Sequence, residues 1–113
     1  ESATKTYNVN VLICEETYNE VKDDFYCREI DTLLVKGKNI PVKVFTVISD
    51  KSKNLTKSQL DFNLKYAEGL SYYKEKQYQK ALKYFQEADK LISNYGPTEV
   101  FIERLKNLLL KTV

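Results

Sequence analysis

The chain has no histidine, no methionine and no tryptophan, and only three glycines, two prolines and two cysteines in 113 residues. Without histidine it lacks the commonest general base near neutral pH and the commonest zinc ligand. Cys14 and Cys27 have no CxxC spacing and sit in strand-like apolar settings, so they read as two reduced, largely buried thiols. No apolar run approaches the roughly 18 residues that a membrane span needs, and no signal-peptide pattern opens the chain. Asn54-Leu55-Thr56 matches a glycosylation sequon and is set aside as fortuitous.

Charge is plentiful but unevenly placed. Residues 1–50 carry six basic and nine acidic side chains, residues 51–113 twelve basic and seven acidic. The lysines of the second half are spread around helical positions and interleaved with Glu and Asp, which describes solvated faces and carries no nucleic-acid partner. A chain of this length buries one modest core, or two halves that need each other.

The two halves differ in periodicity. In the first, Val9–Cys14 is a short β-branched run, and Glu15–Lys22 suits a short helix with Tyr18 and Val21 on one face. Phe25–Ile30 and Leu33–Val35 read as extended. Pro41 then opens Val42–Ile48, where alternation with period two predicts a strand. With residues 1–6 as the tail of a helix, the order is α-β-α-β-β. Such a segment leaves a sheet edge open to self-association.

Residues 49–57 form a polar linker. Thr56-Lys57-Ser58-Gln59 fits a capping box that starts a helix running to about Lys76, Gln77 marks a break, and a second helix runs from Tyr78 to about Ile92. Asn94-Tyr95-Gly96-Pro97 reads as a C-cap glycine followed by an N1 proline, and Phe101, Leu105, Leu108 and Leu109 make the stripe of a third helix. Gly69, Tyr72, Tyr78, Ala81, Phe85 and Ala88 fall at the spacings of one tetratricopeptide (TPR) repeat, and the helical part resembles that repeat. Lys65 and Glu68 stand where large apolar residues are usual, and the helix-ending proline is displaced to Pro97.

Residues 31–45 are the most informative stretch: two apolar strands around a basic, glycine-containing turn, Val35-Lys36-Gly37-Lys38. By itself this is an ordinary hairpin turn, and Lys38 and Lys43 read as solvated charges. Together with Val11-Leu12-Ile13-Cys14-Glu15-Glu16-Thr17-Tyr18, Arg28-Glu29-Ile30-Asp31 and Pro41-Val42-Lys43-Val44-Phe45, it resembles the C-terminal part of the catalytic domain of bacterial class III nucleotidyl cyclases.

The resemblance implies an α+β fold: a truncated cyclase-type (ferredoxin-like) segment over 1–48, a linker over 49–57 and a TPR-like hairpin with a capping helix over 58–113. It implies a parent adenylate (or guanylate) cyclase, a phosphorus–oxygen lyase that turns ATP, or less often GTP, into a cyclic monophosphate and pyrophosphate with Mg²⁺ or Mn²⁺ held by two aspartates. Lys36 becomes a contact to the triphosphate. The metal aspartates and the Asn-x-x-x-Arg helix would lie upstream of Glu1, where the chain opens without an initiator Met. The fragment is therefore expected to be inactive alone, cytoplasmic, and prone to pair as a homodimer through its sheet edges. Asp23, Asp24 and Asp31 read as surface acids and not as metal ligands. The alternative is a non-catalytic module whose helical tail binds a protein partner.

Overall fold

The computed structural model describes Ser2–Leu34, Gly37 and Ile40–Lys111, and the side chains from Thr4 onward. The fold is α+β, with a three-stranded antiparallel sheet and five helices in the order α1 (Ser2–Tyr7), β1 (Ile13–Cys14), α2 (Glu15–Val21), β2 (Phe25–Leu34), β3 (Pro41–Asp50), α3 (Lys57–Lys74), α4 (Tyr78–Leu91) and α5 (Gly96–Leu110). The chain divides into two compact units. One holds the residues up to Lys5 with Val9–Asn54, and the other holds Thr6–Asn8 with the residues from Leu55 onward.

In the first unit the strands lie in the order β1-β3-β2. The β-branched and aromatic residues of β2 and β3 suit a pleated, half-buried surface, and Pro41 opens β3 at the one position where a missing ladder donor costs nothing. The two long strands pair from Phe25↔Asp50 to Leu34↔Pro41, with register shifts between Tyr26 and Cys27 and between Glu29 and Asp31. Each shift takes one residue out of the ladder, Ile48 on β3 and Ile30 on β2, so the strands slip by one and then return. The slip puts Glu29 opposite Phe45, while Ile30 is fully buried. Helix α2 covers the Phe45 side of the sheet: Tyr18 stacks on Phe45 with ring centroids 4.1 Å apart, and Lys43 reaches to 4.0 Å from Glu15. The Thr46 hydroxyl donates to the Val11 carbonyl at 2.8 Å, tying the approach to β1 onto the sheet.

Strand β1 is shorter than its apolar run predicts. Only Ile13 and Cys14 join the ladder, to Phe45 and Val44; the chain leaves α1 through a left-handed Asn8 at φ 55°, and Val9–Leu12 stay outside the ladder, Val11 tied to it through the Thr46 hydroxyl. Conversely, Phe25–Ile30 and Leu33–Val35 merge into one strand through Asp31 and Thr32 as far as Leu34, the last described residue before the turn.

The second unit is a three-helix assembly. The capping box is complete: the Thr56 hydroxyl accepts from Gln59 N at 3.1 Å, and Thr56 N donates to Gln59 Oε1 at 2.9 Å. Helix α3 ends in a Schellman arrangement, with Lys76 N donating to Tyr73 O at 3.0 Å and Gln77 N to Tyr72 O at 2.9 Å. Lys76 holds the left-handed position at φ 64°, which glycine usually takes.

Between α4 and α5 the structure corrects the reading of Gly96 as a C-cap. Asn94 supplies the left-handed turn at φ 62°, and Gly96 is the first residue of α5, followed by Pro97 at its start. Glycine is required there for closeness instead: a Cβ at Gly96 would collide with the backbone carbonyl of Tyr7.

The core of this unit is aromatic. Phe62, Tyr66, Phe85 and Phe101 are at most 1% exposed. Phe85 and Phe101 stack at 4.6 Å, and Tyr66 meets Phe85 edge-on at 5.0 Å and Phe101 at 6.1 Å. Burying each such side chain stabilises by about 1.5–3 kcal/mol, with roughly 0.5–1.5 kcal/mol more per well-oriented ring pair. A Cβ added to Gly69 would lie 2.9 Å from the Phe85 ring, which has no room to retreat from Phe101.

Gly96→Ala is expected to lower stability by about 2 kcal/mol or more, since backbone must move. Gly69→Ala is expected to cost about 1 kcal/mol, the overpacking outweighing the gain in helix propensity. Urea unfolding followed by far-UV circular dichroism measures both, and an unchanged or raised midpoint for either would contradict the packing described.

Candidate functional site

The β2–β3 turn carries the expected phosphate contact. Lys36 and its neighbour Lys38 lie outside the described residues. Gly37 between them takes φ 86°, and a Cβ built there would meet nothing within 4 Å, so glycine is required by conformation alone and the turn is open on that side. The flanking apolar side chains stand in solvent, Leu34 at 71% and Ile40 at 68% exposure. Lys43, read as a solvated charge, is half-exposed and sits beside Glu15.

The acidic residues separate by environment. Asp23 and Asp24 are exposed in the turn before β2. Asp31 is not a surface acid: it lies within β2 at 3% exposure, and its Oδ1 accepts from Thr32 N at 2.7 Å. The surface reading fails because the bulge at Ile30 turns inward a position that ordinary alternation would expose. Among the described residues, no three His, Cys, Asp or Glu side chains come together to hold a metal ion.

Both cysteines are free and only half-buried, more open than their apolar surroundings imply. Cys14 is the N-cap of α2, and its Sγ lies 3.5 Å from the Thr17 hydroxyl, an interaction that lowers the thiol's pKa. Burial pushes the Cys27 thiol up.

In the helical unit, Gly69, Ala81, Phe85 and Ala88 are buried, and Gly69 meets Phe85 where α3 packs on α4. Tyr78 is half-buried with its ring centroid 6.0 Å from that of Tyr73. Tyr72 stacks on Tyr84 at 5.4 Å, with Lys80 5.5 Å over the Tyr72 ring and Lys65 5.2 Å over the Tyr84 ring. Lys65 also donates to Glu87 at 2.9 Å. Thus Lys65, the polar residue where the repeat pattern has a large apolar one, lays its stem along this surface and keeps its charge paired. The hydrogen bond to Lys65 holds the Glu87 carboxyl below its ordinary range, and the same bond raises Lys65.

Two features were missed in the sequence. Tyr84 was unremarkable until the hairpin closed and set it against Tyr72. Arg104 interrupts the stripe of α5 three residues after Phe101; its guanidinium stacks 4.8 Å over that ring and donates to the hydroxyls of Tyr73 at 3.4 Å and Tyr7 at 3.3 Å.

The Lys65–Glu87 pair predicts a pH profile. Glu87, depressed when folded, contributes stability above its unfolded value near 4.5 and loses it as pH falls through the folded value. Lys65, raised when folded, contributes below 10.5 and loses it as pH rises through its folded value. Glu87→Gln should therefore flatten the acid limb of the stability curve and lower the plateau between the two limits. An acid limb identical to that of the unsubstituted chain would refute the pairing.

Comparison with known proteins places a cyclase beside this chain. Over 107 residues, 92% of its length, it is 30% identical to the adenylate cyclase, terminal-differentiation specific, of Dictyostelium discoideum. The chain spans 5% of the length of that protein. Each structural unit is far longer than the unmatched remainder, so the similarity crosses both. The chain is thus related to a region of an adenylate cyclase. No family model matches it, and no solved structure matches.

Proposed function

We propose that this chain is the C-terminal part of a class III cyclase catalytic domain, 1–48, joined through 49–57 to a helical tail, and that its parent converts ATP to cyclic AMP and pyrophosphate. The observation that carries the reading is the 30% identity running through both units. The α-β-α-β-β order and the glycine-containing turn between β2 and β3 support it.

In this reading Lys36, on the turn set by Gly37, contacts the triphosphate of ATP or GTP as a compact cation with three donors. Mg²⁺ or Mn²⁺ would supply Lewis acidity and activate the 3′-hydroxyl in the parent. The described residues offer no metal-ligand group, so no step is assigned here to the ions. The catalytic region is cytoplasmic in this reading; no helix among the described residues is long and apolar enough to cross a membrane. Strand β2 is a sheet edge, and β3 meets β1 at only two positions, which suits strand pairing with a second copy.

The tail, TPR-like in its spacing, packs within the parent or supports its dimerisation. Recruitment of a protein partner is the second reading, favoured by the tail's own closed aromatic core. Cutting the parent after Asn54 separates the two. Lost activity or dimerisation supports the built-in role, and intact catalysis with a lost partner supports recruitment.

The isolated chain is expected to make no cyclic nucleotide from ATP or GTP with Mn²⁺. In the parent, Lys36→Ala should reduce kcat/KM by roughly 10–100-fold, the scale of one lost charge-assisted contact. Turnover by the isolated chain, or an unaffected Lys36→Ala parent, would overturn the respective assignments.

A further inference from the structure

The helical unit carries two complementary exposed surfaces that one copy cannot bring together. The first is on α3. Leu60 and Leu64, one turn apart, are 51% and 64% exposed, with Lys57 before them and Glu68 after them on the same stripe. The Lys57 ammonium lies 3.2 Å from Asp61 in an exposed pair, which its long side chain exchanges for Glu99 and Glu103 at low cost. Leu64 is two positions from each of the buried Phe62 and Tyr66. At about 100° per residue this turns the stripe to the side of α3 away from the core.

The second surface is a shallow groove of ≈ 710 Å³ along α5 and the C-terminal end of α4. Its apolar floor includes Ile102 and Leu110, the latter 72% exposed. One end is anionic, with Asp89, Glu99 and Glu103, and Lys106 lies further along. The C-terminus of α4 adds the negative end of its dipole to the anionic side.

We infer that a second copy of this chain seats its α3 stripe in the α4–α5 groove. Parallel to α5, Lys57 meets Glu99 and Glu103, Leu60 and Leu64 lie on Ile102 and the stem of Lys106, and Glu68 lays its stem on Leu110 while its carboxylate reaches back to the Lys106 ammonium. The antiparallel orientation would set Glu68 against Glu99 and is disfavoured. The charges thus fix direction while the leucines supply the apolar area. The contact joins two different surfaces, so every row keeps one free stripe at one end and one free groove at the other, and assembly proceeds head to tail. This mode differs from strand pairing in the sheet unit and stands apart from the cyclase reading.

Analytical ultracentrifugation of the 113-residue chain, up to about 1 mM because so small a contact is weak, tests it. The weight-average mass should climb with concentration past that of two chains. Leu60→Gln/Leu64→Gln should return the single-chain mass, and so should Glu103→Lys/Leu110→Gln. An equimolar mixture of the two variants retains one intact stripe and one intact groove, so it should form one-to-one pairs and stop there. A chain that stays single at every concentration overturns the proposal. So does association that survives either pair of substitutions, which would point to the sheet edges, or a mixture that fails to pair.

Discussion

The ring of Phe85 is the point on which the helical unit turns. It lies against the bare Cα of Gly69 on α3, stacks flat on Phe101 of α5 and receives the edge of Tyr66. Three helices are held at fixed distances by one side chain that has no slack on any side. In a close-packed interior such a contact transmits its geometry. The spacing of α3 from α4 follows from the missing Cβ of Gly69, and the position of α5 follows from the stack. Gly96 performs the same service where α5 begins, letting its backbone come against that of Tyr7.

The sheet unit solves a different problem. A 113-residue chain divided in two has little apolar material for each part, and the sheet unit spends its share on the Tyr18–Phe45 stack, Ile30 and Val44. Its charged residues are shared among α2, the turns and the two long strands, where Asp31 is buried, while the helical unit is lysine-rich and couples Lys65 and Lys80 to aromatic faces and Lys65 to Glu87. With no histidine anywhere, neither unit has a side chain whose unperturbed charge changes between pH 5 and 8.

Most of the architecture is legible in the sequence, for reasons that can be named. The helices of the second unit announce themselves through the Thr56–Gln59 capping box and the Pro97 start, and β3 through its alternation. What escaped depended on contacts between distant residues. Gly96 was assigned to a turn because sequence shows that a glycine is present but not whether it serves conformation or closeness. Asp31 was placed at the surface because a bulge is invisible in an alternating pattern. The short β1 is hidden by the apolar run before it, since hydrophobicity alone does not show which of its residues pair with β3. For the candidate site, the glycine-containing turn at position 37 was readable, but that its φ of 86° calls for glycine was not. The Lys65–Glu87–Tyr84 grouping was not readable either, because α3 and α4 supply its members from 19 and 22 positions apart.

The two slips in the β2–β3 ladder cancel, Ile48 on one strand and Ile30 on the other, so the strands end level at both extremities. Loss of one of these residues alone would leave a single uncompensated slip and turn every side chain beyond it to the opposite face. Loss of both would leave a plain ladder with the same ends in register. Length variation in hairpins descended from this one should therefore come in pairs, one residue from each strand, and a lone deletion in either should be rare among those that still fold.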